Sequence, residues 1–179
     1  MSNRETQGES RLTPRFMIRQ IRKQHFAVLS TAGRDGAPHS AGVSYGCTRT
    51  GDAFAIYVMT RRHLLKARNI DADPRVSLVI PVPRSVLTFL PPATIQLHGH
   101  AELLSWDDPM GTAAFARFWL GRRILSEYKE AREGGESRVC FVRIVPDPSV
   151  RSYLVGTRLW EMGRKMEAAS AQVVLTPGL

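Results

Sequence analysis

Residues 59–70 hold the strongest candidate for chemistry in the chain. Thr60, Arg61, Arg62 and Lys66 fall where a predicted strand (Ala53 to Met59) hands over to a predicted helix of about Arg62 to Asp71. A helix start presents unpaired N–H groups and partial positive charge, which suits a phosphate. Thr60 adds a hydroxyl, and Arg62 and Lys66, four apart, share a helix face. Guanidinium and ammonium groups bind phosphate through short charge-assisted bonds. The bland alternative is a solvated basic helix. A second feature is the run His39 to Thr48. Ser40, Gly42, Ser44 and Gly46 alternate with His39, Ala41, Val43, Tyr45 and Cys47, so one face of this strand is nearly bare. Such a face receives either a flat ligand or a closely packed neighbour. A third is the run Ala93 to Leu104, where Thr94, Gln96, His98, His100 and Glu102 share the polar face. His98 and His100 make half a metal site, but no third ligand follows nearby, so no metal is expected. Cys47 and Cys140 read as buried packing residues. No nucleophile elbow, phosphate loop or dinucleotide fingerprint occurs. No side chain is singled out as catalytic.

The elements that would position these residues read as a meander. Thr13 caps a first helix and Pro14 suits its first position. Phe26 to Thr31 reads as a strand apolar on both faces. Asp35-Gly36 turns it into the second strand, and Thr50-Gly51-Asp52 turns that into the third. Asp73-Pro74 stops the short helix, and Arg75 to Val82 is a fourth strand. A proline-rich connection, Pro81 to Pro92, precedes the fifth. About 20 helical residues follow Ser105, then a sixth strand over Ser137 to Val145, ended by Pro146-Asp147-Pro148. Val150 to Val155 reads as a seventh. Gly156 to Ala169 looks partly helical. Six or seven strands in hairpin order with short helices argue for a small antiparallel barrel of the mainly β (α+β) class. Residues 1–12 form a polar N-terminal segment expected to be mobile, and 13–179 a single domain.

Composition sets the bounds. The chain has 179 residues and 20.0 kDa, enough for one ordinary domain. Two cysteines exclude a disulfide framework or a cysteine-rich zinc module. Neither a membrane-length apolar run nor a secretory signal is visible, so a cytoplasmic protein without a membrane partner is expected. Lys and Arg outnumber Asp and Glu by 25 to 16, and only four of the 25 are lysines. A net charge of +9 attracts anions. The aromatics do not interleave with the basic residues in a stacking motif, so specific nucleic-acid binding is not expected.

Three stretches, Phe26 to His39 (FAVLSTAGRDGAPH), Ile56 to Thr60 (IYVMT) and Lys66 to Leu78 (KARNIDADPRVSL), resemble the pyridoxamine 5′-phosphate oxidase-like superfamily. The resemblance is best over residues 13 to about 104. It implies a six- to seven-stranded antiparallel split β-barrel with short flanking helices, working as a homodimer with flavin at the subunit interface. It assigns the cofactor phosphate to Thr60, Arg61, Arg62 and Lys66, and the flavin ring to Ala41, Gly42, Val43 and Ser44. Thr94 or Gln96 of the other subunit would add a polar contact. The implied cofactor is FMN. The deazaflavin coenzyme F-420 is the alternative, and haem is less favoured, with His39, His63, His98 or His100 as candidate ligands. The implied activity is hydride transfer to or from a small organic substrate, the non-catalytic alternative being a flavin or haem carrier. His63, Trp119, Tyr153 and Trp160 are candidate pocket walls, core packing being the alternative. The chain departs from the oxidases proper. Ala41 stands where they carry arginine, and their Arg-Pro…Ser-Gln segment and C-terminal Arg-x-His motif are missing, the nearest stretch being Arg158 to Arg164. Vitamin B6 oxidation is therefore not expected.

Overall fold

The computed structural model describes residues 12–48, 53–83, 92–155 and 170–175. The expected N-terminal segment up to residue 11, the turn at Thr50-Gly51-Asp52, most of the proline-rich connection and the 156–169 stretch with Trp160 lie outside the described residues.

The chain runs α1 (Pro14–Lys23), β1 (Phe26–Ala32), β2 (Pro38–Cys47), β3 (Ile56–Arg61), α2 (Leu65–Ala72), β4 (Arg75–Val82), β5 (Ala93–Ser105), α3 (Pro109–Ala116), α4 (Trp119–Glu133), β6 (Val139–Tyr153) and β7 (Ser170–Val174). The sheet order is β3-β2-β1-β4-β5-β6-β7, every neighbour antiparallel, and β3 also pairs with β6. That pairing closes six strands into a barrel, with β7 added beyond β6. The fold is the mainly β, α+β barrel read from the hairpin spacing.

Alternation builds the interior. Ala27, Leu29, Val43, Tyr45, Ile56, Val58, Leu78, Ile80, Ile95 and Leu97 point inward and are buried. Helix α1 closes one end. The Thr13 hydroxyl accepts from the Phe16 N–H at 3.1 Å, which caps the helix start. Met17 and Ile21 reach the core, and the Tyr45 hydroxyl donates to the Ile21 carbonyl at 2.7 Å. Helix α2 closes the other end, with Ala67, Asn69 and Ile70 buried. The predicted turn at Asp35-Gly36 forms as read, with Gly36 at φ 78° and the Asp35 carboxylate accepting from the Ala37 N–H.

Several elements differ from the sequence reading. β1 alternates instead of being buried on both faces, and Phe26 is half exposed. α2 begins at Leu65, so Arg62 lies in the turn before the helix and does not share its face with Lys66. The 20-residue helical stretch breaks at Arg117 and Phe118 into α3 and α4. Asp108 caps α3, its carboxylate accepting from the Gly111 N–H at 2.7 Å. Pro146 and Pro148 do not end β6, which continues to Tyr153. The pairing with β5 shifts register between Leu97 and Gly99, opposite Pro146, and a bulge is where a strand tolerates proline. The seventh strand is Ser170–Val174, not Val150 to Val155.

Candidate functional site

The barrel is split between β2 and β3. β2 stays paired to β1 from Pro38 to Ser44, but it pairs with β3 only from Tyr45 to Cys47. β3 is paired to β6 along its whole length, Ile56 to Arg61. Beyond Tyr45 and Val58 the two strands part, and β2 residues 38–44 face β3 residues 59–61 across an opening. The phase of the ladder tells which backbone groups face it. The Tyr45 N–H donates to the His25 carbonyl at 3.1 Å. Hydrogen-bonded and non-hydrogen-bonded pairs alternate, so Gly42 turns its own N–H and C=O away from β1, toward the opening, and Ser44 turns the same way beside Met59, at the last rung with β3.

The predicted residues distribute around this split. Ala41 and Val43 lie on the inward face of β2, half-buried and buried. Gly42 and Ser44 lie on the outward face, exposed and half-buried. The bare face is shorter than the sequence suggests. At Gly46 a Cβ would sit 2.6 Å from the Ala114 carbonyl oxygen, so helix α3 occupies that end. At Gly42 it would stand 3.1 Å from the ring of Phe26, which lies alongside.

Thr60 ends the inward row of β3. It is 1% exposed, and its hydroxyl has no hydrogen-bond partner among the described residues. Buried hydroxyls are nearly always paired, so this one is fitted to receive a ligand. Arg62 is exposed, and its charge is felt at the Cys140 thiol, the cross-strand partner of Thr60. Lys66 is half-buried in the first turn of α2, with no ion pair among the described residues. The helix has no side-chain cap at Leu64; Ala67 and Arg68 donate to the Leu64 carbonyl, which leaves the Leu65 and Lys66 N–H groups without a partner among the described residues. Arg61 is engaged elsewhere: its guanidinium lies 3.6 Å from Glu136 and 5.1 Å from the Tyr128 ring centroid. Glu136 is held at a pKa of about 2 by Arg138, with Arg61 helping. The turn is fixed by the Arg62 N–H on the Arg138 carbonyl, 2.8 Å.

Thr94 and Gln96 are not brought to the split. Gln96 shares an outer row with Gly42 through Val28 and Val79. Three strand spacings of about 4.8 Å put them roughly 14 Å apart. His98 and His100 are exposed on the same outer face, with His100 at 3.7 Å from Asp147. No group of three or more metal-ligating side chains occurs among the described residues. Both thiols are buried; burial pushes Cys47 up to about 12 and also raises Cys140, so neither is a nucleophile at neutral pH. Trp119 is 69% exposed and Tyr153 38%, so neither is core.

Sequence reasoning missed Asn69 and His25. Asn69 is buried, and its amide donates to the Thr31 hydroxyl at 3.0 Å, pinning α2 to β1. An asparagine inside an inward stripe with Ala67 and Ile70 was the available signal, since it must find a partner there. His25 stacks on Phe118, centroids 3.8 Å apart and planes within 3°. Nothing local in the sequence signals that pair.

A closed antiparallel barrel whose β2 and β3 part after three pairs, with Arg62, Lys66 and the Thr60 hydroxyl beside the parting, defines a split barrel. Residues 16–147 match the family model for pyridoxamine 5′-phosphate oxidase, and the chain belongs to that family. No curated protein matches the sequence. Among solved structures, a haem-binding protein from Mycobacterium smegmatis is 21% identical with a TM-score of 0.65, over 94% of this chain and 59% of that one. This chain thus spans about three-fifths of that relative. HutZ, the haem storage protein of Vibrio cholerae, is 16% identical with a TM-score of 0.58, over 78% of this chain and 94% of its own. A putative pyridoxamine 5′-phosphate oxidase from Listeria innocua is 18% identical with a TM-score of 0.50, over 78% and 96%. At these identities the likeness is one of fold.

Proposed function

We propose that the chain binds FMN in the split between β2 and β3 and acts as a flavin-dependent oxidoreductase on a small organic substrate. The observation that carries this reading is the buried Thr60 hydroxyl, without a partner among the described residues, at a mouth furnished with Lys66, Arg62 and the first N–H groups of α2. Those groups suit the phosphate. The edge of β2 at Gly42 and Ser44 suits the polar rim of a flat ring. Bound flavin would supply the hydride chemistry; the chain's part is to grip, orient and shield it. Gln96, about 14 Å from Gly42, and Thr94, two residues before it on β5, fit the role of serving a second copy's cofactor, which supports a homodimer. Ala41 offers no cation where the oxidases proper have one, so pyridoxamine phosphate is not the expected substrate.

Two other ligands compete for the same mouth. Coenzyme F-420 also carries a phosphate, and its acidic tail suits the surplus of arginine. Haem is favoured by two structural relatives, one a haem-binding and one a haem storage protein. His63, exposed in the turn between Arg61 and Leu64, supplies a ligand beside cations that fit propionates. The test is the absorption spectrum of the purified protein with titrations of FMN, coenzyme F-420 and haemin. Saturable, stoichiometric FMN binding is expected. A Soret band that saturates while FMN does not bind would replace the flavin reading with the haem one, and saturation by F-420 alone would exchange the cofactor but keep the site.

A further inference from the structure

Helices α3 and α4 turn one side to the barrel, where Gly111, Ala114, Phe115 and Gly121 are buried. The other side stays open. It carries Met110, Trp119 and Leu120, exposed by 38, 69 and 41%, with Arg117, Arg122 and Arg123 among them. The Arg122 guanidinium donates to the Ala116 carbonyl at 3.2 Å, which keeps it at the junction beside Trp119. Thr112, Ala113 and Ala116 complete the open side of α3 with small groups. No acidic residue occurs between Asp108 and Glu127. Asp108 is spent on the α3 cap, and Glu127 on Arg123 at 3.2 Å. Further along α4, Lys129 and Glu133 pair, and Glu130 takes the Ser126 hydroxyl. The open side therefore has a neutral end and an end that is cationic and apolar.

An indole this exposed, with an exposed leucine beside it, calls for a partner. A second copy docking through this face about a two-fold axis would set Arg117, Arg122 and Arg123 close to the same arginines, so a copy is disfavoured. Tryptophan prefers the headgroup level of a bilayer, and arginines meet lipid phosphates there. We propose that the α3–α4 face docks reversibly on an anionic lipid surface through Trp119, Leu120 and Met110, with Arg117, Arg122 and Arg123 on the headgroups. No helix of the described residues is long and apolar enough to cross a membrane, so the contact is peripheral. Such contact differs from the spanning segment whose lack underlay the expectation of no membrane partner. The inference does not depend on which cofactor the barrel holds.

Co-sedimentation of the full chain with vesicles tests it, using phosphatidylcholine alone and phosphatidylcholine mixed with phosphatidylglycerol. Binding is expected only to the mixed vesicles and should weaken as salt rises. Trp119→Ala with Leu120→Ala should abolish it. Arg122→Glu with Arg123→Glu should lower the partition coefficient at least ~5-fold, since an unpaired arginine at such a surface is worth roughly fivefold and Arg123 already shares its charge with Glu127. All four side chains are exposed, so the variants should keep the parent's circular dichroism and melting temperature. The proposal is overturned if the parent stays in solution with both vesicles, or if these variants bind as the parent does. A drop in mass of the Trp119→Ala, Leu120→Ala protein in sedimentation velocity would also overturn it, since a second copy would then cover the face.

Discussion

Lys66→Ala separates a grip on phosphate from general adhesion of a flavin. Lys66 is the second residue of α2, half-buried, and its ammonium has no ion-pair partner among the described residues. Removing it should leave the helix in place, because Ala67, Asn69 and Ile70 make the packing and alanine is the best helix former. A charge-assisted bond to phosphate is worth about 1.5–3 kcal/mol, so the FMN dissociation constant should rise roughly 10- to 150-fold. Riboflavin has the same ring and no phosphate, and its affinity should not change. Quenching of flavin fluorescence, titrated with both ligands, reads the two numbers. Thr60→Val sharpens the test because it has two effects of opposite sign. The hydroxyl it deletes is buried and has no partner among the described residues, so the variant without ligand should be more stable by about 1 kcal/mol. FMN should nevertheless bind several-fold more weakly. If Lys66→Ala binds FMN as tightly as the parent, or loses riboflavin in equal measure, the phosphate does not lie at α2 and the site has been misplaced.

Other substitutions probe the supports of the site. Asn69→Leu strands the Thr31 hydroxyl at a cost of about 1–3 kcal/mol; by loosening α2 it should weaken FMN more than riboflavin, as the same titration would report. Gly46→Ala drives a methyl against the Ala114 carbonyl and should destabilise the fold by about 1–3 kcal/mol in a denaturant melt. Gly42→Val meets only the half-exposed ring of Phe26, which can turn aside, so it should melt near the parent while flavin affinity falls. His25 is held below its usual pKa by burial, with a backbone hydrogen bond to Tyr45 opposing. Its folded pKa is lowered, so its contribution to stability is complete above pH ~6.5 and is lost as pH falls from there through the folded value. His25→Phe, which keeps a ring against Phe118, should flatten that part of the stability–pH curve; an unchanged slope in thermal melts would acquit His25.

Much of this architecture is legible in the residues because it is local. Alternation marks the inward rows of β2, β4 and β5, Thr13-Pro14 marks the start of α1, and Asp35-Gly36 marks its turn. What escapes depends on partners far along the chain. Pro146 and Pro148 read as a stop because a proline cannot donate to a ladder, yet a bulge of β6 against β5 leaves room for them within a continuous β6. Arg61 reads as a phosphate ligand from its place beside Thr60. Its contacts with Glu136 and Tyr128, from the segment after α4 and from α4 itself, are not legible there. Gly42 and Gly46 look alike in sequence, and only the arrival of α3 tells the open one from the covered one.

The split itself follows from competing attachments. β3 is bound to β6 along its full length, and its end is tied down by Arg62 on Arg138 and by Arg61 against Glu136. β2 is bound to β1 from Pro38 to Ser44, and β1 in turn carries α2 through Thr31 and Asn69. A closed barrel must twist and shear, and two strands fixed to opposite neighbours need not stay in contact along their length. They meet over three residues and then part. The backbone groups freed on β2 form a short sheet edge, which natural proteins cover or pair. Here α2 spans the end of that edge and brings a cation with it. A ligand whose rim pairs with Gly42 and Ser44 while its charge meets Lys66 would complete hydrogen bonding that the chain cannot complete alone. Weakening the Arg62–Arg138 tie would therefore not close the gap, since β2 would still be held by β1; it would leave the opening and loosen only its cationic wall.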